Sequence, residues 1–423
     1  MANRHHSAGD QGTLRRVNLT AVLNCLRQHA PLSRAALAAM TGLNRATITR
    51  LVRDLIDHGF VREIGTQSSR NGRPAILLEL DPHGGYIIGA RLDVDASSVF
   101  LTDFAAEVLW RAESCHTRDD GQEAIQNELR SLVHQACDHV PGTGRPVLGL
   151  GVSMPGLVNA ADGTLLFAPN LGWRDVPIRA WLSQDFAFPI YVDNEANLAA
   201  LGECYFGAAQ GASYVLLVSI TAGVGAGIIV DQQIVPGASG LAGEVGHMTI
   251  DLHGPRCNCG KLGCWEAFVS ATALFSRIRE KIAAGHPSQL AEAALATFDR
   301  AVIPHVVRAA ENGDEAVRSA LTDTGRLIGL GLADLINIFN PEKVVLGGYL
   351  SPLYAAMLPD IASVVQDRAL RWAREAADIV IAHHGSDASL MGAIATIYNH
   401  VLAFPVETLA RSARVVAQKG GGA

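Results

Sequence analysis

The stretch from Leu32 to Val61 reads LSRAALAAMTGLNRATITRLVRDLIDHGFV. Ser33 stands where an N-cap belongs, ahead of the helix-forming run RAALAAM. The TGL that follows predicts a tight turn, and Gly42 supplies the backbone freedom it needs. Asn44 is a second N-cap, opening a helix that runs to about His58. Ile48, Leu51, Val52 and Leu55 recur at helical spacing and make its buried stripe. Gly59 is placed to end it. Upstream, Val17, Ala21, Val22 and Leu26 predict another helix, which Pro31 interrupts. Two short helices joined by a three- or four-residue turn containing glycine are the pattern of a helix-turn-helix. Arg45, Thr47, Thr49, Arg50 and Arg53 point away from the stripe. They suit a recognition helix in a major groove, where arginine reads guanine and hydroxyls touch bases or phosphates. Arg34 and Asn44, at the two helix starts, are counted with them as DNA contacts. Two β-rich runs then flank a polar loop. This reads as a hairpin wing whose Arg70 and Arg73 face phosphates or the minor groove.

Charge supports that reading. Residues 1–80 hold eleven arginines, no lysine and five acids, a net +6. The whole chain of 423 residues carries −7, so the remainder carries −13. A basic head on an acidic body suggests that the head alone meets a polyanion. Hydrophobic residues at 49% and charged ones at 18% can fill sizeable cores, and the length calls for two or three domains. No apolar run approaches the roughly 20 residues of a membrane span. The first residues, MANRHHSAGDQGTLRRV, hold no apolar secretory core. A cytoplasmic protein with no membrane partner and reduced thiols is expected.

Past Pro82 strand-like and helix-like runs alternate, which argues for an α/β body. GYIIGARLD and SVFLTDF read as paired strands, and a helix is expected over about 121–139. PIYVDNEANLAALGECYFG reads as strand, polar turn and helix. Helices dominate from about Ser270 to Ile338. The expected division is a winged head at 1–82, a small α/β domain at 83–195 and a larger one at 196–387. A closing helix at about 388–405 completes the small domain.

Three cysteines crowd into eight residues of GHMTIDLHGPRCNCGKLGCWE, residues 246–266. Cys257, Cys259 and Cys264 with His247 offer three thiolates and one imidazole, a common tetrahedral zinc set. Four protein ligands leave no open position for water, so the zinc is expected to be structural, one per chain. Cys25, Cys115, Cys137 and Cys204 read as core filler.

GLGVSMPGLVN (149–159), FAPNLGW (167–173), VDNEAN (192–197), GEVGHM (243–248) and CNCGKLGCWE (257–266) occur in that order. Together with the winged head, they resemble the ROK family of repressors and sugar kinases over almost the whole chain. The resemblance implies a two-domain body like those of actin, hexokinase and Hsp70, with sugar in the interdomain cleft. It implies sugar contacts at Gly156, Asn170, Asn194, Glu195, Glu244, His247 and Glu266. It also implies a sugar-responsive repressor that binds an operator, an inverted repeat, as a dimer or tetramer.

Three departures separate the chain from the kinase members. Their phosphate loop reads Asp-x-Gly-Gly-Thr, where this chain has Arg91, Asp93 and Val94. Glu195 replaces the aspartate that deprotonates the sugar hydroxyl. Ala222 stands in the second phosphate loop where a threonine is usual. No kinase activity and no catalytic residue are therefore expected.

Overall fold

The computed structural model describes residues 11–67, 74–290, 295 and 299–403. Contacts divide the chain into two compact units. One comprises Met1–Val152, Pro177–Val192 and Ala393–Ala423; the other comprises Ser153–Val176 and Asp193–Gly392. The head therefore shares a unit with most of the first five-stranded sheet and the end of the chain. Residues 153–176 and 193–195, assigned to the small domain from sequence, group with the metal-loop unit instead.

The head begins with α1 (Gln11–His29), followed by β1 (Leu32–Ser33), α2 (Arg34–Thr41) and α3 (Arg45–Asp57). Both predicted caps form. Ser33 Oγ accepts from the N–H of Ala36 at 3.2 Å, and Asn44 Oδ1 accepts from that of Thr47 at 2.8 Å. Gly42 turns the chain at φ 70°. The end of α3 is a Schellman motif. Phe60 N–H donates to Leu55 O and Gly59 N–H to Ile56 O, both at 2.9 Å. Ile48, Leu51, Val52 and Leu55 are buried, as their spacing predicts. β2 (Val61–Gln67) and β3 (Ala75–Leu80) form the wing, and β1 adds to β3 as a third strand. Sequence reading missed β1, because two residues carry no periodicity. Arg70 and Arg73 lie outside the described residues.

The first unit continues with β4 (Tyr86–Leu92), β5 (Ala96–Thr102), β6 (Val108–Cys115), α4 (Gln122–Asp138) and β7 (Val147–Met154). Next come β8 (Leu157–Asn159), β9 (Thr164–Ala168) and β10 (Trp173–Val176), a three-stranded sheet that groups with the second unit. After α5 (Ile178–Leu182), β11 (Ile190–Asn194) completes the first five-stranded sheet, ordered β11-β7-β4-β5-β6. Cys25 and Cys204 are buried, but Cys115, on the edge strand β6, is exposed rather than core filler.

The second unit is built on α6 (Glu195–Phe206), β12 (Tyr214–Ile220), β13 (Val224–Val230) and β14 (Gln233–Ile234). Helices α7 (Glu266–Val269), α8 (Ala271–Ala283), α9 (Ile303–Glu311) and α10 (Glu315–Phe339) follow. Then come β15 (Lys343–Gly348), α11 (Tyr354–Arg368), α12 (Arg371–Ala376), β16 (Asp378–Ile381) and α13 (Ala388–Ala403), which from Ala393 on groups with the first unit. Its sheet runs β14-β13-β12-β15-β16, with β12 parallel to β15 and antiparallel to β13. Among the described residues no helix is long and apolar enough to cross a membrane.

One aromatic chain joins the head to the rest of its unit. The Phe60 and Phe104 rings lie 5.0 Å apart, and Phe104 stacks on Tyr398 of α13 at the same distance. The Tyr398 hydroxyl donates to Phe104 O, and Thr20 of α1 donates to Leu402 O at 2.7 Å. Burial pushes the Tyr398 phenol far above its ordinary pKa, so it stays a neutral donor. Phe104→Ala is expected to remove about 3–5 kcal/mol from this core. A lower denaturation midpoint with unchanged metal content checks it, because Phe104 does not touch the cysteine loop.

Candidate functional site

The cysteine loop folds as a pair of short bridges, Thr249 opposite Cys264 and Arg256 opposite Leu262. Cys257 N–H donates to Lys261 O at 2.8 Å, and Gly260 returns the chain at φ 93°. Trp265, between Cys264 and Glu266, is fully buried. Its indole N–H donates to Leu327 O of α10 at 2.9 Å. A Cβ on Gly331 of α10 would stand 2.2 Å from the indole ring, so only glycine admits it. The loop thus starts its fourth ligand and its last carboxylate from a core anchor.

His247 and the three cysteines each bring a donor atom within 4.8 Å of the others. Cys257 Sγ lies 3.8 Å from His247 Nδ1, and Cys259 Sγ lies 3.6 Å from Cys264 Sγ. A tetrahedral ion with bonds of about 2.3 Å has ligand–ligand edges of about 3.8 Å, so these spacings fit one. The electrostatics agree. Burial, with help from the Glu266 carboxylate, pushes the Cys257 thiol up to about 12. A divalent cation would supply the missing positive charge and hold it as thiolate. The cluster can therefore hold a metal ion.

The sugar candidates of the metal loop are held beside it. With Nδ1 facing the thiols, His247 Nε2 lies 3.9 Å from Glu244 Oε2. Burial raises the Glu244 pKa, Glu266 adds to that, and His247 opposes it. Glu266 Oε2 accepts the N–H of Val224 at 2.9 Å, and its Oε1 lies 3.4 Å from Cys257 Sγ. Gly243 at φ 93° and Gly246 bring this segment against β13: a Cβ would meet Ala226 O at 1.9 Å and Val224 O at 2.2 Å.

The other candidates gather at the start of α6. Asn194 Oδ1 caps the helix, accepting from Ala196 N–H at 2.8 Å and Asn197 N–H at 3.3 Å. Its amide donates to Gly156 O at 2.7 Å. Much of its expected sugar-binding capacity is thus engaged in structure. Glu195 Oε1 accepts from Ser219 Oγ at 3.3 Å. Gly156, at φ 87°, lies against Phe167 O and Ala168, two residues before the half-buried Asn170. All seven candidates and all four metal donors belong to the second unit. Sequence reasoning missed Asp193, whose pKa burial raises and which accepts from Asn194 N–H and Asn197 Nδ2. It also missed Ser219; neither residue stands out from its neighbours in the strand pattern.

The turn aligned with the kinase phosphate loop is closed on itself. Asp93 N–H donates to Ala96 O at 2.9 Å, and Val94 N–H to Asp93 Oδ1 at 2.7 Å. Arg91 is buried and donates to Ser98 Oγ at 3.2 Å. Phosphate binding needs backbone N–H groups turned outward, and here two of them are already bonded. In the head, Arg45, Thr49 and Arg50 are exposed and Thr47 is half-buried. Thr49 Oγ donates to Arg45 O at 2.8 Å. Arg34 pairs with Glu63 of β2 at 2.8 Å, so its charge is partly met within the head.

Residues 88–399 match the ROK family, and residues 17–65 match the IclR helix-turn-helix domain. The chain belongs to the ROK family. The xylose repressor of Caldicellulosiruptor bescii is 34% identical over 397 residues, 94% of this chain and 99% of that one. A crystal structure of a ROK family transcriptional regulator, a homologue of the E. coli MLC protein, superposes with a TM-score of 0.78. It is 27% identical and covers 94% of this chain and 99% of its own. A ROK family glucokinase from Streptomyces griseus, crystallised with glucose and AMPPNP, gives 0.66 at 28% identity. It covers 73% of this chain and 98% of its own.

Two outcomes follow for the site. Cys257→Ser or Cys259→Ser should reduce bound metal from one per chain towards none and lower the melting temperature, measured by elemental analysis and thermal shift. Glu244→Gln should raise the melting temperature at neutral pH. A carboxyl whose folded pKa is raised adds stability only below its unfolded value and loses it as pH rises. The gap between variant and native protein should therefore close as pH falls towards about 4.

Proposed function

We propose that this protein is a sugar-responsive DNA-binding repressor in which a sugar held by the ROK body modulates operator binding by the winged head. The observation that carries the reading is the joining, on one chain, of an IclR-type head to a ROK body. Relatives named as xylose repressors, aligned almost end to end, support it. Arg45, Thr47, Thr49 and Arg50 read bases or phosphates, and Arg34, Asn44, Arg70 and Arg73 add contacts around them. Gly156, Asn170, Asn194, Glu195, Glu244, His247 and Glu266 form the sugar site. Planar acids and amides match the paired donor and acceptor character of sugar hydroxyls. Zinc is the metal for His247, Cys257, Cys259 and Cys264. When bound, it supplies a fixed positive charge that holds His247 with its second nitrogen towards the sugar. No residue is catalytic.

The head, 1–82, is the DNA-binding domain, and the lobes of the body follow the division into two units, with 153–176 and 193–392 forming the one that holds the sugar and metal residues. A dimer or tetramer sets two heads on an inverted repeat in the cytoplasm. The sugar acts only through a difference in affinity for the two conformations of the repressor.

A sugar kinase carrying a DNA-binding head is the competing reading, favoured by the glucokinase likeness. The self-bonded turn at Asp93 and the methylene added at Glu195 oppose it. Incubation with ATP and a panel of hexoses and pentoses should give no turnover; a rate near the ordinary enzyme range of about 1–10³ per second overturns the repressor reading. In a gel-shift titration at fixed salt, the effector sugar should change operator affinity by about 5- to 150-fold. Arg50→Ala should weaken operator binding by about 1–3 kcal/mol and leave sugar affinity unchanged. Equal operator affinity with every sugar removes the sensor.

A further inference from the structure

We infer that α3 selects its operator through two methyl groups and one guanidinium. Ala46 and Thr49 each contact the 5-methyl of a thymine, and Arg50 contacts a guanine within about two base pairs of them. The inference rests on the DNA-binding reading above and names the base contacts that this reading leaves open.

Burial fixes the side of α3 that can meet a duplex. Ile48, Leu51, Val52 and Leu55 are packed into the head. Ala46, Arg50 and Arg53 are offset from that stripe by two residues, a rotation of about 200° at 3.6 residues per turn. They share the opposite face and are exposed, with Thr49 exposed at its edge. Charge then fixes which end of the face approaches. The first turn of α3 holds no acid, whereas Asp54 and Asp57 lie in the last turn. Asp54 pairs with Arg15 at 2.9 Å, and Asp57 Oδ2 lies 3.9 Å from Arg53 Nε, so the acids also occupy the nearby cations. Carboxylates there would repel the phosphate backbone, while the N-terminal end of the helix dipole attracts it. The first two turns, from Arg45 to Arg50, therefore enter the groove.

Within those two turns several polar atoms are already bonded. Asn44 Oδ1 accepts the Thr47 N–H at 2.8 Å, and Thr49 Oγ donates to Arg45 O at 2.8 Å. The Thr49 hydroxyl proton is thus used inside the helix, and its γ-methyl remains to meet a base. Ala46 offers a methyl and nothing else. No described residue pairs with the guanidinium of Arg45 or Arg50. Of the two, Arg50 stands opposite the buried stripe and Arg45 towards its flank. Among the base edges of the major groove, only thymine presents a methyl, and only guanine presents two acceptors matched to a guanidinium fork. Ala46 and Thr49 stand at i and i+3, with Cβ atoms about 5–6 Å apart. Ala46 and Arg50 are separated by about 6 Å along the helix axis. At about 3.4 Å per base step, these spacings correspond to one or two base pairs.

Selection by the full chain from a randomised duplex pool tests this, at fixed salt, with and without a mixture of D-xylose, D-glucose and N-acetylglucosamine. The enriched half-site should contain thymines and a guanine within about two base pairs of one another. Uracil, which lacks only the methyl, then replaces each thymine in turn. One replacement should weaken native binding about fourfold, the worth of one buried methylene-sized group, and leave Ala46→Gly binding unchanged. A second should behave likewise with Thr49→Ser, which keeps the hydroxyl. Arg50→Ala should accept any base where the native chain takes guanine. Each comparison is made within one variant, so a change in helix stability cancels. Half-sites without thymine overturn the inference. So do uracil penalties equal in the native chain, Ala46→Gly and Thr49→Ser, or a guanine preference that survives Arg50→Ala. These results leave the DNA-binding reading standing, whereas enrichment of no duplex overturns both.

Discussion

The second unit depends on one buried indole. Trp265 fills the space left by the absent side chain of Gly331, and its N–H is satisfied by a carbonyl of α10. A tryptophan so enclosed loses several kcal/mol if truncated to alanine, about 3–5 by analogy with other cores. Its chain neighbours are Cys264 and Glu266. The same insertion therefore fixes one donor of the metal cluster and the carboxylate that accepts the Val224 N–H. The loop has little regular structure of its own. Its order comes from this anchor and two short bridges, and its donor set could hold a metal ion.

Around that anchor the polar side chains are engaged before any ligand arrives. Asn194 caps α6, Glu266 holds the turn into β13, and Glu195 rests on Ser219. Such prior bonding lowers the ordering cost of binding and narrows what can bind. The turn at Asp93 is engaged too, but with itself. Backbone groups that elsewhere could cradle phosphate here close a hairpin, and the glycine-to-aspartate change supplies the closing carboxylate. Glycines 223, 227 and 348 persist for steric reasons. A Cβ on each would meet the Glu266 carboxylate, Ala196 O or Ile220 O at 2.8, 2.4 and 2.3 Å.

The head is packed, not tethered. Phe60, Phe104 and Tyr398 bring the end of α3, the β5–β6 turn of the first five-stranded sheet and α13 into one apolar core. Helix α13 starts in the other unit, where Gly392 lies directly against Leu198 of α6. One continuous helix thus has its first turns packed on the helix that bears Glu195 and its last turns packed on α1 of the head.

The helix-turn-helix was legible because its signals are local. Cap residues, a glycine turn and a 3.6-residue stripe need only their own neighbours, and each formed where the pattern put it. The Cys₃His set was legible because its four donors stand within eighteen residues of sequence. The sequence alone determined the longer elements, the donors and the sign of charge on each part. It did not determine which parts share a core. Residues 153–176 joined the metal-loop unit, Asn194 became a helix cap, and Arg34 found Glu63, through contacts between distant segments. Two-residue β1 and the small sheet β8–β10 escaped for the same reason. Short strands acquire their identity from their partners' hydrogen bonds, and those partners are brought into register only when the chain is folded.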